Sequence, residues 1–180
     1  MDREEALQLV NKLGDKMKKH SLAVEAIMRE LAEYLSENKE LWGLVGLLHD
    51  IDYEETKNNP EKHGLIAADR LIGKLPDKAI YAIKAHNSRN GFEPKSKLDY
   101  ALIASDAVSG LIIACALILP TKKLEDVTMD FVMKKFKQKD FARGASRERI
   151  LYCEKIGLTK EKLFELALKG LQRINNELGL

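Results

Sequence analysis

Residues 101–119 form an almost unbroken apolar run in which Asp106 is the sole charge and Ser105, Ser109 and Gly110 are the other exceptions. A run of this length suits either a bilayer or the centre of a protein core. An aspartate deep in a membrane span costs roughly 2.5–3.5 kcal/mol on insertion scales, and the flanking sequence supplies no further span. The run therefore predicts the central helix of an all-helical core. That placement makes Asp106 a carboxylate surrounded by apolar groups, a costly arrangement unless a cation or several donors meet it.

Candidate partners are few, because the chain has four histidines. They precede Asp106 in one ordered series: His20, the doublet His49-Asp50, His63 and His86. Neutral imidazoles and carboxylates are the side chains that hold Zn, Fe, Mn or Ni. His20 shares an apolar helix face with Met17, Val24, Ile27, Met28 and Leu31, which points it inward. The doublet ends the run Leu41 to Leu48. His63 falls in the first turn of a predicted helix with Asn59 as N-cap and Pro60 at the first helical position. His86 lies on the inward face of Ala79, Ala82 and Ile83.

Elsewhere helical periodicity dominates and strand alternation is absent. Asp2 and Glu5 have the spacing of a capping box, opening a first helix that Gly14 ends. Further helices are predicted over about 15–36, 39–49, 60–75, 77–87, 97–119, 124–136, 146–156 and 159–178, with 52–59 as a polar loop. At 180 residues the simplest organisation is a single domain, 1–180, able to bury about 70% of its unfolded surface. With 32% charged residues and a formal net charge of +2, composition gives no general electrostatic case for nucleic acid or an anionic membrane. Met1-Asp2-Arg3-Glu4-Glu5 lacks the regions of a signal peptide. Cys115 and Cys153 show no ligand spacing and are expected to be buried, reduced thiols, so the expected location is the cytoplasm.

The series His20-Ser21-Leu22-Ala23-Val24, Leu47-Leu48-His49-Asp50-Ile51, Lys62-His63-Gly64, Ala85-His86-Asn87 and Ala104-Ser105-Asp106-Ala107-Val108 resembles the successive motifs of the HD superfamily of metal-dependent phosphohydrolases. The resemblance covers about residues 17–113 and leaves the predicted helices of 124–180 packed on that core. It implies a helical bundle with a central metal held by His20, His49, Asp50 and Asp106. In members with two metals, two more histidines add a second ion and the doublet aspartate bridges both. His63 and His86 occupy those positions, so two divalent ions per chain are expected, of Fe, Mn, Zn, Co or Ni. One departure is Ile51-Asp52-Tyr53, where many relatives have Ile-Gly-Lys, which removes a cation from the substrate's neighbourhood.

The implied chemistry is hydrolysis of a small phosphorylated compound, with nucleotides or dinucleoside polyphosphates as first substrates to try, Asp50 at the reacting centre and Glu54 as the proton donor chosen from Asp52, Glu54 and Glu55. For the substrate's phosphate the sequence offers Arg89, beside His86, and Arg143 and Arg147, in a segment (134–149) with seven basic residues against two acidic ones. Aromatic interleaving there is limited to Phe136 and Phe141, too little for a nucleic-acid groove. Two other classes share the ligand set: a mixed-valent di-iron oxygenase and a non-catalytic nucleotide-binding module.

Overall fold

The computed structural model describes residues 1–180 and consists of helices, turns and loops without a strand. Helix α1 (Arg3–Val10) opens with the capping box read from Asp2 and Glu5. It ends at Asn11, before the glycine expected to stop it, and Gly14 instead precedes α2 (Asp15–Tyr34). α3 (Lys39–Leu48) begins where the Asn38 side chain accepts the Leu41 amide. The expected loop 52–59 contains the single turn α4 (Tyr53–Thr56). The predicted helix 60–75 is a 3-10 turn, Pro60–Lys62, followed by α5 (Leu65–Leu71), because Gly64 adopts a left-handed φ of 82° between them. α6 (Asp77–Ala85) and α7 (Lys97–Ile118) agree closely with expectation.

Beyond α7, each of the three predicted helices is divided into shorter segments. Thr128 accepts the Phe131 amide and restarts the chain as α8 (Met129–Lys137) after a 3-10 turn, Leu124–Asp126. Ser146 does the same for α9 (Arg147–Ile150), which continues as a 3-10 segment, Leu151–Ile156. α10 (Lys160–Arg173) ends at Ile174 and one further turn, α11 (Asn175–Leu178), follows.

α7 is apolar on every side, the pattern of a helix enclosed by others. By length and composition it could cross a membrane, and 67% of its most apolar window is buried inside the fold. α2, α6, α8, α9 and α10 pack around it. Leu102, Leu111, Ile112 and Cys115 on α7 are completely buried, so truncating either leucine to Ala is expected to cost about 2–5 kcal/mol. One hydrophobic core runs from Ala6 to Leu178. Against it, α2 and α3 form a tightly packed hairpin. A side chain at Gly46 would stand 2.9 Å from the Val24 carbonyl oxygen, so glycine is what permits this approach of α3 to α2 and fixes where α3 ends over His20.

Candidate metal centre

His49 and His86 are positioned by the same local device. Each is the C-cap of a helix, α3 and α6 respectively, where last-turn carbonyls lack helical partners. His49 Nδ1 donates to the Gly46 carbonyl at 2.8 Å and His86 Nδ1 donates to the Ile83 carbonyl at 2.5 Å. A carbonyl only accepts, so the proton sits on Nδ1 and each Nε2 is left as a lone pair facing away from its helix. The negative ends of both helices also favour a cation at this point.

His63 is oriented from another side. Its position is not the first turn of a helix, as expected, but the end of the 3-10 turn just before Gly64. A Cβ at Gly64 would lie 2.8 Å from the Ile83 carbonyl oxygen and 3.1 Å from His86 Cε1, so both the left-handed backbone and the contact demand glycine. Asp52, fully buried, accepts the Gly64 and Ala67 amides at 2.8 and 2.9 Å on Oδ2. Its Oδ1 accepts from His63 Nδ1 at 2.9 Å. His63 Nε2 is thereby aimed at Asp50.

The six residues expected as ligands converge. His20 Nε2 lies 3.1 Å from Asp106 Oδ1 and 3.4 Å from Asp50 Oδ2. His49 Nε2 lies 3.2 Å from Asp50 Oδ1 and 4.0 Å from Asp106 Oδ1. The same Oδ1 of Asp50 is 3.1 Å from His63 Nε2 and 3.3 Å from His86 Nε2. Two ligands of one ion, each at about 2.0–2.2 Å, stand roughly 3–4 Å apart, which is the range observed. The ligand atoms of His20, His49 and Asp106 form one group within 4.8 Å, and those of His49, Asp50 and His86 form another. Asp50 belongs to both sides: its Oδ2 faces His20, and its Oδ1 faces His49, His63 and His86.

His49 Nε2 gives the sharpest test of whether these residues fit a cation. It is buried and has no hydrogen-bond partner, a costly state for a polar atom, yet its lone pair faces two carboxylates. A positive ion satisfies all three at once.

Electrostatics follow from the same crowding. Burial alone would raise the Asp50 carboxyl, but His49, His63 and His86 around it hold it well below the ordinary carboxylate value. Asp106 is likewise opposed by burial and held low by His20, His49 and Arg149. Burial pulls His63 down, and Asp50 with Asp52 overcome it and raise it to about 10. His86 is lowered, chiefly by burial. Two acids and four imidazoles thus share a space in which protons stand where a cation can replace them.

The groups expected to handle the substrate are placed differently. Glu54 is exposed and pairs with Lys57 at 3.2 Å, and Glu55 is engaged by Arg70. The acid of this segment that matters to the cluster is Asp52. Arg89 is exposed, and only its backbone amide is held, by Asn87. Arg143 is 78% exposed and pairs with Asp140. The Arg147 guanidinium donates to six backbone carbonyls, those of Lys135, Phe136, Gln138, Phe141, Ala142 and Ala145. It ties a loop together and has little left for a phosphate.

The cation that does reach the cluster is Arg149. One Nη donates to Asp106 Oδ2 at 3.0 Å and to the His86 carbonyl at 2.9 Å. The basic 134–149 segment pointed to this neighbourhood, but helix phase within it decides which arginine turns inward, and α9 is too short to read from periodicity.

A family model described as HD domain matches residues 17–110. No curated protein and no solved structure matches the chain.

Proposed function

The chain belongs to the HD-domain family, and from that membership together with its converging ligands we propose that it is a cytoplasmic, metal-dependent phosphohydrolase with two divalent ions per chain. It cleaves a phosphoester or phosphoanhydride of a small nucleotide-like compound, and neither nucleic acid nor membrane is its partner. The observation that carries this reading is the buried, unpartnered Nε2 of His49 facing Asp50 and Asp106.

His20, His49, Asp106 and Asp50 would hold one ion, and His63 and His86, again with Asp50, the second. Divalent ions in such a pair supply Lewis acidity to a phosphoryl oxygen and make water nucleophilic near neutral pH. The chain's own contribution is orientation. Gly46 and Ile83 carbonyls hold the Nδ1 protons of His49 and His86, and Asp52 holds that of His63, so three Nε2 atoms are aimed at the cluster before an ion arrives. Arg149 holds the outer oxygen of Asp106, leaving the inner one toward His20 and His49. Side-chain exposures of 24% for His20, 22% for Asp106 and 18% for His63 mark the face that opens to solvent. A phosphoryl group approaches there.

The test is a screen of protein loaded separately with Fe, Mn, Zn, Co and Ni against mono-, di- and cyclic nucleotides, dinucleoside polyphosphates and sugar phosphates. Release of phosphate or of a phosphorylated product, abolished by Asp50→Asn, is the expected result. Absence of turnover with every ion and substrate, at two ions bound per chain, would overturn it.

A further inference from the structure

Two cavities meet at Arg149. A cavity of about 150 Å³ is lined by His20, Asp106 and Gly144 and leads to the ligand cluster; a second, of about 280 Å³, lies beyond His86. Ser146 and Arg149 line both, so the arginine stands between them. Its guanidinium is incompletely used. One Nη carries both of its contacts while Nε is buried with no partner.

The two cavities differ in chemistry. The first has His20 and Arg149 beside the ligand oxygens. The second is walled by Phe92, Pro94, Ile103 and Tyr152, and Glu93 and Glu148 also line it. Its volume is just under the roughly 300–1,000 Å³ of typical small-molecule sites, which suits one ring-sized group. Flat apolar and aromatic walls suit a ring, and carboxylates accept N–H and O–H groups while repelling a second anion.

We propose that this second cavity is the subsite for the organic part of the substrate, and that it selects an uncharged or cationic ring bearing hydrogen-bond donors. The phosphoryl group then lies at the ligand cluster, on the other side of Arg149. The inference rests on the hydrolase reading and narrows it. A phosphomonoester with one ring-bearing group fits, whereas a polyphosphate chain leading to a second nucleoside would have to cross two carboxylates. The segment that forms the subsite includes Ser146, Glu148, Arg149 and Tyr152, which lie outside the residues matched by the family model.

The test uses two esters that differ only in the para group, 4-aminophenyl phosphate and 4-carboxyphenyl phosphate, with the metal-loaded protein. The quantity read is the ratio of their kcat/KM values, compared between wild type and the double variant Glu93→Gln, Glu148→Gln. Taking the change in this ratio removes the intrinsic difference in leaving-group reactivity. Both glutamates are exposed, so the fold tolerates their replacement. The preference for the amino ester is expected to fall about five-fold or more in the double variant, and Tyr152→Ala is expected to raise KM for phenyl phosphate relative to methyl phosphate. A ratio that moves less than two-fold, with wild-type turnover present, overturns the subsite and leaves the hydrolase reading standing. If wild type hydrolyses neither ester, the hydrolase reading still rests on the nucleotide and sugar-phosphate screen, and calorimetric binding of the same two esters decides the subsite. A preference for the amino ester that disappears in the double variant supports it, and equal or absent binding overturns it.

Discussion

Helix α2 contributes to two places where carboxylates are buried, and the two are compensated in opposite ways. Near its middle, Glu25 accepts from Arg3 at 2.6 and 2.9 Å and from Arg29 at 3.0 Å, while Glu30 meets Lys169 at 2.8 Å and also Arg173. Near its start, His20 faces Asp50 and Asp106 together with three other imidazoles. The cavity beside the first cluster, about 490 Å³, is larger than either cavity beside the second. Size therefore points to the wrong place. A guanidinium or ammonium keeps its proton and has no lone pair to offer, so Glu25 and Glu30 are neutralised from within the chain. An imidazole gives up its proton near neutral pH and becomes a ligand. The kind of base that surrounds a buried acid, more than the number of acids, separates a site that awaits a cation from one that is already closed.

Chelation breaks the comparison most forcefully. Stripping divalent ions is expected to lower stability by about 4 kcal/mol for each ion that had been present at a thousand times its dissociation constant, equivalent to roughly 8–16 °C in Tm for a chain of this size. Calorimetry of the stripped and reloaded protein measures it. Equal transition temperatures would mean that the imidazole cluster is as self-sufficient as the arginine one.

A smaller effect is expected from Asp52→Asn. Asp52 is fully buried and takes three donors, two amides and His63 Nδ1. An amide presents its NH2 to at least one of them, so His63 loses its orientation. Metal affinity should fall about 10- to 100-fold, the usual cost of losing an outer partner of a metal-binding histidine, with stoichiometry at limiting metal moving from two ions towards one. Metal titration followed by elemental analysis checks this, and unchanged affinity would show that His63 needs no support.

Glu30→Gln probes the other cluster. Breaking a buried ion pair can cost 3–5 kcal/mol, but Lys169 and Arg173 are about half exposed and are free to turn to water once released. The expected loss is about 1–2 kcal/mol, read as a lower urea midpoint at unchanged m value, with metal content equal to wild type. A loss of bound metal in this variant would link two clusters that the structure keeps apart.

The same contrast explains what the sequence made legible. Ligands announced themselves because His is scarce here, because α2 is long enough for periodicity to assign a face to His20, and because Asp106 is the sole charge in an apolar run. Asp52 was in view as one of three loop acids, but its role depends on Gly64 folding back over it, a left-handed turn that the spacing of Asn59, Pro60 and His63 masked as a helix start. The substrate side failed for a related reason. In α9, a single turn between a loop and a 3-10 segment, no face can be read from spacing, so Arg147 and Arg149 look equivalent. One binds six carbonyls and the other reaches Asp106. The helix break at Thr128 was likewise hidden, since a capping hydroxyl inside an apolar pattern looks like a solvent-facing residue until the chain direction changes.

The smallest expected effect concerns Arg143, the cation of the basic segment with the least to hold. Its side chain is 78% exposed and its partner Asp140 is 93% exposed, so water and salt screen the pair and the ordering of two mobile side chains offsets most of what attraction remains. Its neighbour Gly144 lines the cavity at the ligand cluster, but Arg143 itself does not. Arg143→Ala should therefore leave stability within the roughly 0.5 kcal/mol typical of surface substitutions, and metal content equal to wild type. Arg147→Ala, four residues on, removes the donor to six carbonyls that holds residues 135–145 against the cavity, and should increase proteolytic nicking and hydrogen exchange there. Comparing the two variants by limited proteolysis and metal titration sharpens the rule drawn from the buried acids: what a cation does here is set by what it already touches. A loss of metal or of stability on replacing Arg143, with Arg147→Ala silent, would reverse that assignment.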